Sequence, residues 1–183
     1  MTITKLLAKF SRNTALETDR LLLKPLTIDN LKDYHEYSSD EETLKYDYLP
    51  HETLKESEEG LVIWHLSSPL GKYGIFLKSN GKLIGNINFK PETNEKVFIG
   101  YTLNKKYWKR GYATEALQKL ISLSFNQLGI KDILAKVHSE NSASIALLTR
   151  LGFSLINVEK NVKHYRGYTF KELTYEKKNE KID

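Results

Sequence analysis

The chain has 183 residues, of which 40% are hydrophobic and 28% charged, and this is the size and composition of one globular domain with a core of its own. It contains no cysteine, which excludes disulfides, thiolate metal ligands and cysteine nucleophiles. The net charge of +5 is a mild basic excess, and because no basic stripe with interleaved aromatic residues accompanies it, we expect no DNA partner.

Residues 1–12 carry apolar side chains at helical spacing, namely Ile3, Leu6, Leu7 and Phe10. This pattern predicts a helix that docks on its own domain or on a partner subunit, and a short helix on a membrane surface is the alternative. The apolar stretch is too short for a secretory signal, and no run in the chain approaches the ~20 apolar residues of a membrane span. We therefore expect a cytoplasmic protein without a membrane partner, as a monomer or a homodimer.

A strand and two helices are predicted for the next part of the chain. Residues 20–26 (RLLLKPL) have a strand pattern that ends, or reaches the sheet edge, at Pro25. Thr27 is a candidate N-cap for a helix in TIDNLKDYHEYSS. Residues 51–68 also have a helical pattern, in which Gly60 is the weak point.

A β-hairpin is the clearest local pattern in the sequence. Two alternating runs in KYGIFLKSNGKLIGNINFKP flank Asn80 and Gly81, a pair that is typical of a type I′ turn. Residues 96–104 then predict another strand. A helix follows from Ala113, and Gly129 is well placed to cap its C-terminus.

The last part of the chain predicts a strand (DILAKVHS), a helix ending at Gly152 (NSASIALLTRLGF) and two closing strands (FSLINVEKNV and YTFKELTYEK). This order implies a mixed α/β (α+β) fold, in which an antiparallel sheet contains one parallel crossover around residues 97–138. We divide the chain into an N-terminal helical extension (1–17), one domain (18–177) and a charged tail (178–183).

The stretch WKRGYATEA (108–116) places Gly111 directly before a helix, with Lys109 and Arg110 beside it. A helix start carries unpaired N–H groups and partial positive charge that bind phosphate, and a residue without Cβ lets the ligand approach closely. The pattern indicates either such an anion site or an ordinary strand-to-helix turn with solvated cations. The chain contains neither GxxxxGK[ST] nor GxGxxG, which removes the main support for ATP-type phosphoryl transfer and for dinucleotide binding.

In their full context, VFIGYTLNKKYWKRGYATEAL and HSENSASIALLTRLGF resemble the GNAT superfamily of acetyl-CoA-dependent N-acetyltransferases, over residues 18–177. Within it, TDRLLLKPL and NSASIALLTRLGF are similar to the RimJ/RimL branch, which acetylates N-terminal amines of ribosomal proteins and also small amines. The family's pyrophosphate loop is [QR]-x-x-G-x-[GA], and Trp108, Gly111 and Ala113 stand at its defined positions. Trp108 departs from the broad pattern but is familiar in this branch.

The resemblance implies a GNAT fold with helices on both sheet faces, acetyl-CoA as cosubstrate, no metal, and a primary amine as acceptor. By resemblance, backbone N–H groups of Lys109–Thr114 hold the pyrophosphate, and the strand Ile99–Leu103 splays from its parallel neighbour to pair with the pantetheine amides. Asn141 and Ser144 match N-x-x-[SA], so that Asn141 binds pantetheine or caps the helix, or does both. The candidate coenzyme-binding residues are therefore Ile99, Tyr101, Thr102, Leu103, Lys109, Arg110, Gly111, Tyr112, Ala113, Thr114, Asn141 and Ser144.

Acetyl transfer requires a neutral amine, stabilisation of an oxyanion and a proton for the departing thiolate. Backbone N–H groups near Tyr101 are candidates to polarise the thioester carbonyl. Many GNAT enzymes place a tyrosine where this chain has Leu148, which cannot donate a proton. Ser144 is therefore the candidate catalytic residue, as stabiliser or acid for the thiolate; its alternative role is a small residue that lets helix and coenzyme pack closely.

No general base is predicted from the sequence. Several relatives place a glutamate where this chain has Phe98, and Glu95 is expected in a turn. Asn86 and Asn88 could order a water molecule, but neither is a base. Glu115 fits a favourable interaction with the helix dipole better than catalysis.

An acidic and aromatic segment corresponds to the acceptor side of the family, and it contains Tyr34, Tyr37, Asp40, Glu41, Glu42, Tyr46, Asp47 and Tyr48. It would suit a cationic amine, although a solvated loop is the simpler interpretation. The five histidines are dispersed and form no metal-binding motif. A protein N-terminus is the first choice of acceptor. The alternatives are a polyamine or aminoglycoside, a non-catalytic acetyl-CoA sensor and a small RNA-binding domain.

Overall fold

The computed structural model describes residues 2–180, and in this part of the chain one sheet carries five α-helices. The strands are β1 (Leu16–Glu17), β2 (Leu21–Lys24), β3 (Lys72–Leu77), β4 (Leu83–Pro91), β5 (Lys96–Leu103), β6 (Asp132–His138), β7 (Ser154–Lys163) and β8 (Thr169–Lys178). The helices are α1 (Ile3–Ser11), α2 (Leu31–Ser38), α3 (Leu54–Leu61), α4 (Tyr112–Leu123) and α5 (Ser142–Arg150). Single π-helical turns follow α3 and α4, at Val62–Leu66 and Ser124–Leu128.

The sheet has the strand order β1-β2-β3-β4-β5-β6-β8-β7. All neighbouring strands pair antiparallel except β5 and β6, which are parallel and are joined through α4. The predicted mixed fold, with one parallel crossover in a mostly antiparallel sheet, is therefore confirmed.

The two faces of the sheet are covered by different helices, because successive residues of a strand point to opposite sides. On one face, Leu6 of α1, Leu117 of α4 and Leu148 of α5 are fully buried against the large core. On the other face, α2 and α3 pack on β3 and β4 in a smaller core made of Leu26, Tyr34, Tyr37, Leu61, Phe76 and Leu83. Helices on both faces leave the ends of the central strands as the place where a site can form.

The hairpin of β3 and β4 has a longer turn than the sequence predicted. Leu77 N–H donates to the Lys82 carbonyl at 2.9 Å, so the loop consists of residues 78–81. Gly81 has a φ of +73°, but Asn80 is not among the described non-glycine residues with positive φ. The type I′ prediction was wrong, because that turn requires positive φ at both central residues. Asn80 instead accepts the Lys82 N–H with its side chain at 3.1 Å.

The segment predicted as one helix over 51–68 is α3 followed by a π-helical turn. Thr53 caps its start, since the Thr53 side chain accepts the Glu56 N–H at 3.2 Å. A Cβ at Gly60 would lie 2.6 Å from the His51 ring, so this glycine permits a close approach between the helix and the loop before it. Across residues 2–180, no helix combines the length and the apolarity needed to cross a membrane.

Both ends of the described part of the chain, which starts at residue 2 and stops at residue 180, pack on the rest of the domain. Leu6 and Phe10 of α1 are buried in the large core, and β1, which the sequence analysis did not predict, pairs with β2. At the other end β8 includes Lys178, and Asn179 N–H donates to the Lys131 carbonyl at 2.8 Å. Met1 and the tail residues 181–183 lie outside the described residues.

Candidate active site

The parallel strands β5 and β6 pair over three residues only and then separate. Phe98 and Leu134 are the last pair in the register. Beyond it, β5 continues along β4 through Leu103, while β6 continues along β8 through His138. The Ile99–Leu103 backbone therefore has an edge that β6 no longer covers. An exposed strand edge of this kind is where an extended chain with amide groups can add hydrogen bonds.

The loop between β5 and α4 contains two residues in the left-handed region. Lys109 has a φ of 59° and Gly111 a φ of 80°, and α4 begins at Tyr112. Successive left-handed and right-handed residues turn neighbouring N–H groups toward one concave surface, which binds anions. Trp108 closes the end of β5, because its Nε1–H donates to the Leu103 carbonyl at 2.6 Å. That carbonyl is thus occupied by the protein itself.

Arg20 and Glu115 fix this loop against the start of β2. Arg20 Nε donates to Glu115 at 2.7 Å, and its Nη1 donates to the Arg110 carbonyl at 3.0 Å. The Arg20 guanidinium also lies 4.5 Å from the centre of the Tyr112 ring. A Cβ at Gly111 would lie 3.3 Å from Arg20 Nη2, so the backbone here passes close to a fixed cation. The sequence analysis did not identify Arg20, which lies far from the loop along the chain.

Glu115 serves this fixed arrangement. Burial raises the pKa of the Glu115 carboxyl, but hydrogen bonds from Thr18, from the Arg20 N–H and from the Arg20 side chain outweigh that effect and lower the pKa below its ordinary value. A carboxylate held ionised by several donors is a poor proton acceptor. Glu115 therefore has the structural role that its place in the first helical turn suggested.

The start of α5 faces the gap between β5 and β6. Asn141 caps this helix, since its side chain accepts the Ser144 N–H at 3.1 Å. Ser144 is half-buried, one turn into the helix, whereas Leu148 is fully buried in the large core. Leu148 is a packing residue with no access to the gap, in agreement with its aliphatic side chain.

Tyr101 brings a second hydroxyl to Ser144. Burial raises the pKa of Tyr101 to about 12, and the neighbouring Ser144 hydroxyl offsets part of this rise. The phenol oxygen is buried, and no hydrogen bond of regular geometry reaches it within residues 2–180. The sequence analysis considered only the backbone of Tyr101. Its alternation with Ile99 and Leu103 on one strand face was a signal that the side chain points toward α5.

The other polar residues considered for catalysis are engaged elsewhere. Glu95 forms an ion pair with Lys131 at 2.9 Å, and the Asn86 side chain accepts the Tyr37 hydroxyl at 3.1 Å. The Asn88 side chain covers Gly100, where a Cβ would lie 3.1 Å from Asn88 Oδ1. None of these groups is placed to accept a proton from a substrate.

Asp47 is the carboxylate that the structure brings to the gap. Its Oδ2 accepts the Thr102 hydroxyl at 3.2 Å, beside the free edge of β5. Asp47 is exposed to solvent, although neighbouring protein atoms partly desolvate its carboxylate. This desolvation raises the pKa of Asp47 above its ordinary value, against the opposing effect of the Thr102 hydrogen bond. A carboxyl of raised pKa is a better general base than an ordinary aspartate.

The other acids of the same segment take part in ion pairs. Asp40 and Glu42 both contact Lys105 Nζ, at 2.8 and 3.3 Å, and Glu41 pairs with Arg166. The segment is therefore neither a freely solvated loop nor a surface of four unpaired carboxylates. Tyr34 and Tyr37 are buried in the smaller core, while the Tyr46 ring contacts His138 and the Tyr48 ring contacts His51.

Within residues 2–180, no three histidine, aspartate or glutamate side chains are grouped so that they could hold a metal ion.

Comparison with known proteins agrees with this geometry. The model of the acetyltransferase (GNAT) domain family matches residues 20–154, which is most of the chain. The chain belongs to the GNAT acetyltransferase family. It is 30% identical to N-acetyltransferase p20 of Bacillus licheniformis over 158 residues, which are 83% of this chain and 89% of the relative. The protein is thus an N-acetyltransferase, and its cosubstrate is acetyl-CoA, as in the rest of the family.

Solved GNAT structures share the fold of this enzyme. A GNAT-family acetyltransferase from Bacillus anthracis superposes with a TM-score of 0.82 at 23% identity, over 91% of this chain and 99% of that one. A structure described as a ribosomal-protein-serine acetyltransferase from Vibrio cholerae gives a TM-score of 0.77 at 22% identity, over 91% and 98% of the two chains. At these identities the likeness concerns the fold alone.

Proposed function

We propose that the acceptor of this N-acetyltransferase is the N-terminal amine of a protein, in first place a ribosomal protein. The proposal is supported by TDRLLLKPL and NSASIALLTRLGF, which are similar to the RimJ/RimL branch. The observation that carries the site assignment is the separation of β5 from β6 directly beside the left-handed loop at Lys109–Gly111. A strand edge and an anion-binding helix start then lie next to each other, as a ligand with amides and a pyrophosphate requires.

In this assignment the coenzyme contacts two backbone segments. The N–H groups of Lys109–Thr114 bind the pyrophosphate, and the free edge of Ile99–Thr102 pairs with the pantetheine amides. Asn141 caps α5 through its Oδ1, which leaves its amide nitrogen for pantetheine. The residues present fit this ligand, since Gly111 and Ala113 keep the helix start narrow where the pyrophosphate would lie.

The reaction is a direct transfer without a covalent enzyme intermediate. The amine nitrogen attacks the thioester carbonyl carbon, the carbon–sulfur bond breaks, and the amine proton passes to Asp47 directly or through one water molecule. Backbone N–H groups near Tyr101 donate to the developing oxyanion. The hydroxyls of Ser144 and Tyr101 donate to the departing thiolate, which takes its final proton from solvent.

Two observations bear on the rival functions. Because Asp40, Glu41 and Glu42 are occupied by Lys105 and Arg166, a polyamine or aminoglycoside would find few free carboxylates in this segment. Asp47 supplies a base that the sequence analysis did not find, which weakens the reason for a non-catalytic sensor.

An acceptor screen tests the proposal. The purified enzyme is incubated with acetyl-CoA and, in parallel, with ribosomal proteins, polyamines and aminoglycosides, and products are identified by mass spectrometry. We expect one added acetyl group at the N-terminus of a protein acceptor. Acetylation of the small amines alone would overturn the choice of acceptor, and tight acetyl-CoA binding without turnover on any amine would favour the sensor.

A further inference from the structure

We propose that residues Arg166, His164 and His138 form an oxyanion-binding site that recognises a carboxylate or phosphate on the acceptor, close to its reacting amine. This inference rests on the proposed function, because it defines a second contact for the acceptor of the same reaction. For a protein N-terminus, such an oxyanion is an acidic or phosphorylated side chain in the first residues of the chain.

Arg166 supplies the edge of a guanidinium that suits an oxyanion. Its Nη1 pairs with Glu41, whereas its Nε and Nη2 are buried without a hydrogen-bond partner within residues 2–180. Nε and Nη2 are the two parallel donors that bind a carboxylate or phosphate side-on. A buried donor pair without a partner is costly, so a ligand that satisfies both is bound favourably.

Two histidines beside Arg166 add further donors. His138 Nδ1 accepts the Glu140 N–H at 3.1 Å, and His164 Nδ1 accepts the Arg166 N–H at 3.3 Å. In a neutral imidazole the proton then resides on Nε2, which is therefore a donor in both residues. Each Nε2 is buried without a partner in the described part of the chain. Four donors from three residues are thus unsatisfied; the two imidazole rings lie 6.0 Å apart, and the backbone N–H of Arg166 donates to His164 Nδ1.

The charged neighbours of the two histidines are the cations Arg166 and Lys45 and the carboxylates Glu41 and Glu140. Burial lowers the pKa of His138, Glu140 acts in the opposite direction, and His164 and Lys45 lower it further. Glu41 is the other carboxylate of the cluster, and it is paired with Arg166. Aromatic rings cover the histidines: Phe170 stacks on His138 at 4.3 Å, and Tyr168 stacks on His164 at 4.5 Å. The Tyr168 side chain is 40% exposed, and we assign its rotation as the step that opens the site.

The cluster adjoins the proposed base. His138 ends β6 on one side of the gap, and its ring lies 4.9 Å from that of Tyr46. The next residue, Asp47, contacts Thr102 on the other side of the gap. Consecutive residues therefore connect the oxyanion site to the carboxylate that accepts the amine proton.

Product-like peptides test this site without turnover. N-acetylated peptides that carry Asp, or phosphoserine, at one of the first three positions are titrated into enzyme with ¹⁵N-labelled histidine, and Asn and Ser peptides are the neutral controls. We expect at least one acidic peptide to bind about tenfold more tightly than its neutral control and to shift the Nε2 resonances of His138 and His164.

Variants identify the guanidinium edge as the cause of that preference. Arg166→Gln removes both donors of the edge and should abolish the preference, and Arg166→Lys, which retains charge without the edge, should restore little of it. Lys163→Gln, an equal change of charge on an exposed position of the same hairpin, should leave the preference intact. Circular dichroism and thermal melting check that each variant is folded.

The outcomes separate this inference from the proposed function. Equal binding of acidic and neutral peptides at every position would overturn the oxyanion site and leave water as the partner of the buried donors. Preference retained by folded Arg166→Gln would also overturn it. Selective binding of an acidic peptide by an enzyme that acetylates no protein N-terminus would retain the site and reject the proposed acceptor.

Discussion

The loop at the start of α4 differs from the proposed acceptor region, by which we mean residues 39–50 with Tyr101, Thr102 and Arg166, in how completely the polar groups are paired. At the loop, Arg20, Glu115 and Trp108 are all engaged with backbone or with each other, so the anion-binding shape exists before any ligand arrives. In the proposed acceptor region, Asp47 has a raised pKa, and the side chains of Tyr101 and Arg166 have buried atoms without partners among the described residues. A backbone that already has its binding conformation suits acetyl-CoA, which is the same in every reaction. Side chains with unpaired polar atoms suit an acceptor that supplies the missing hydrogen bonds.

The loop is most vulnerable at Gly111. Gly111→Asp adds strain at a φ of 80° and a negative charge where we place the pyrophosphate, so we expect acetyl-CoA affinity to fall by about a hundredfold or more. Calorimetric titration measures this loss. The control is Gly81→Asp, since Gly81 has a φ of 73° but no atom near its Cβ position. Undiminished affinity in folded Gly111→Asp would remove the pyrophosphate from this loop.

A substitution of Asp47 tests the proposed acceptor region in the same way. Asp47→Asn retains an oxygen that can accept the Thr102 hydroxyl but cannot take a proton, so we expect kcat/KM to fall by about a hundredfold with little change in acetyl-CoA affinity. Because the base must be ionised, the rate of the wild type should rise with pH through the raised pKa of Asp47. This rising limb of the pH–rate profile should disappear in the variant. Glu42→Gln, which changes an exposed carboxylate of the same segment, should retain the limb. A limb of unchanged shape in Asp47→Asn would assign the base to another group.

Glu115→Gln should loosen the loop without touching the ligand. We expect acetyl-CoA affinity to fall by about tenfold and the free energy of unfolding at neutral pH by about 1–2 kcal/mol, because a charged partner of Arg20 is lost. The pKa of Glu115 is lowered in the folded state, so its contribution is present above the ordinary value of 4.5 and is lost as the pH falls through the folded pKa. Chemical denaturation at several pH values measures it. The comparison is Glu17→Gln, whose carboxylate is 68% exposed in its pair with Lys78 and should matter little.

The smallest effect is expected at the hydroxyl pair. Because we place the thiolate beside the hydroxyls of both Ser144 and Tyr101, Ser144→Ala alone should lower kcat by only about threefold, with acetyl-CoA affinity unchanged. Ser144→Ala combined with Tyr101→Phe should lower kcat by about a hundredfold. Steady-state kinetics on the single and double variants give the coupling. Ser142→Ala, at an exposed position of the same helix, is the matched control. A folded double variant that retains the kcat of the wild type would reduce both hydroxyls to a packing role.

The same contrast explains what could be predicted from the sequence. The β5–α4 segment is local: Gly111 directly precedes a helix with an apolar face, so the fold around it and the family resemblance could both be inferred. The fold class and most elements were predicted for the same reason, since periodicity and capping are short-range signals.

The proposed acceptor region is built from residues that are distant in the chain and close in the fold. Asp47 meets Thr102, and Glu41 meets Arg166 across 125 positions of the sequence, and no spacing rule connects these pairs. Arg20 was missed because its partner Glu115 lies 95 positions away. The prediction of a type I′ turn at Asn80 and Gly81 was wrong for another reason. The dipeptide permits such a turn, but the register of β3 and β4 decides the loop length.

The most direct test of the coenzyme site is backbone amide hydrogen exchange with and without acetyl-CoA, with ATP and NAD as control ligands. We predict that acetyl-CoA slows amide exchange and that ATP and NAD do not. The protection by acetyl-CoA should be concentrated in residues 99–103, in residues 109–114 and at the start of α5. Acetyl-CoA binding that protects other segments and leaves these unchanged would contradict the assignment of the coenzyme to the gap between β5 and β6.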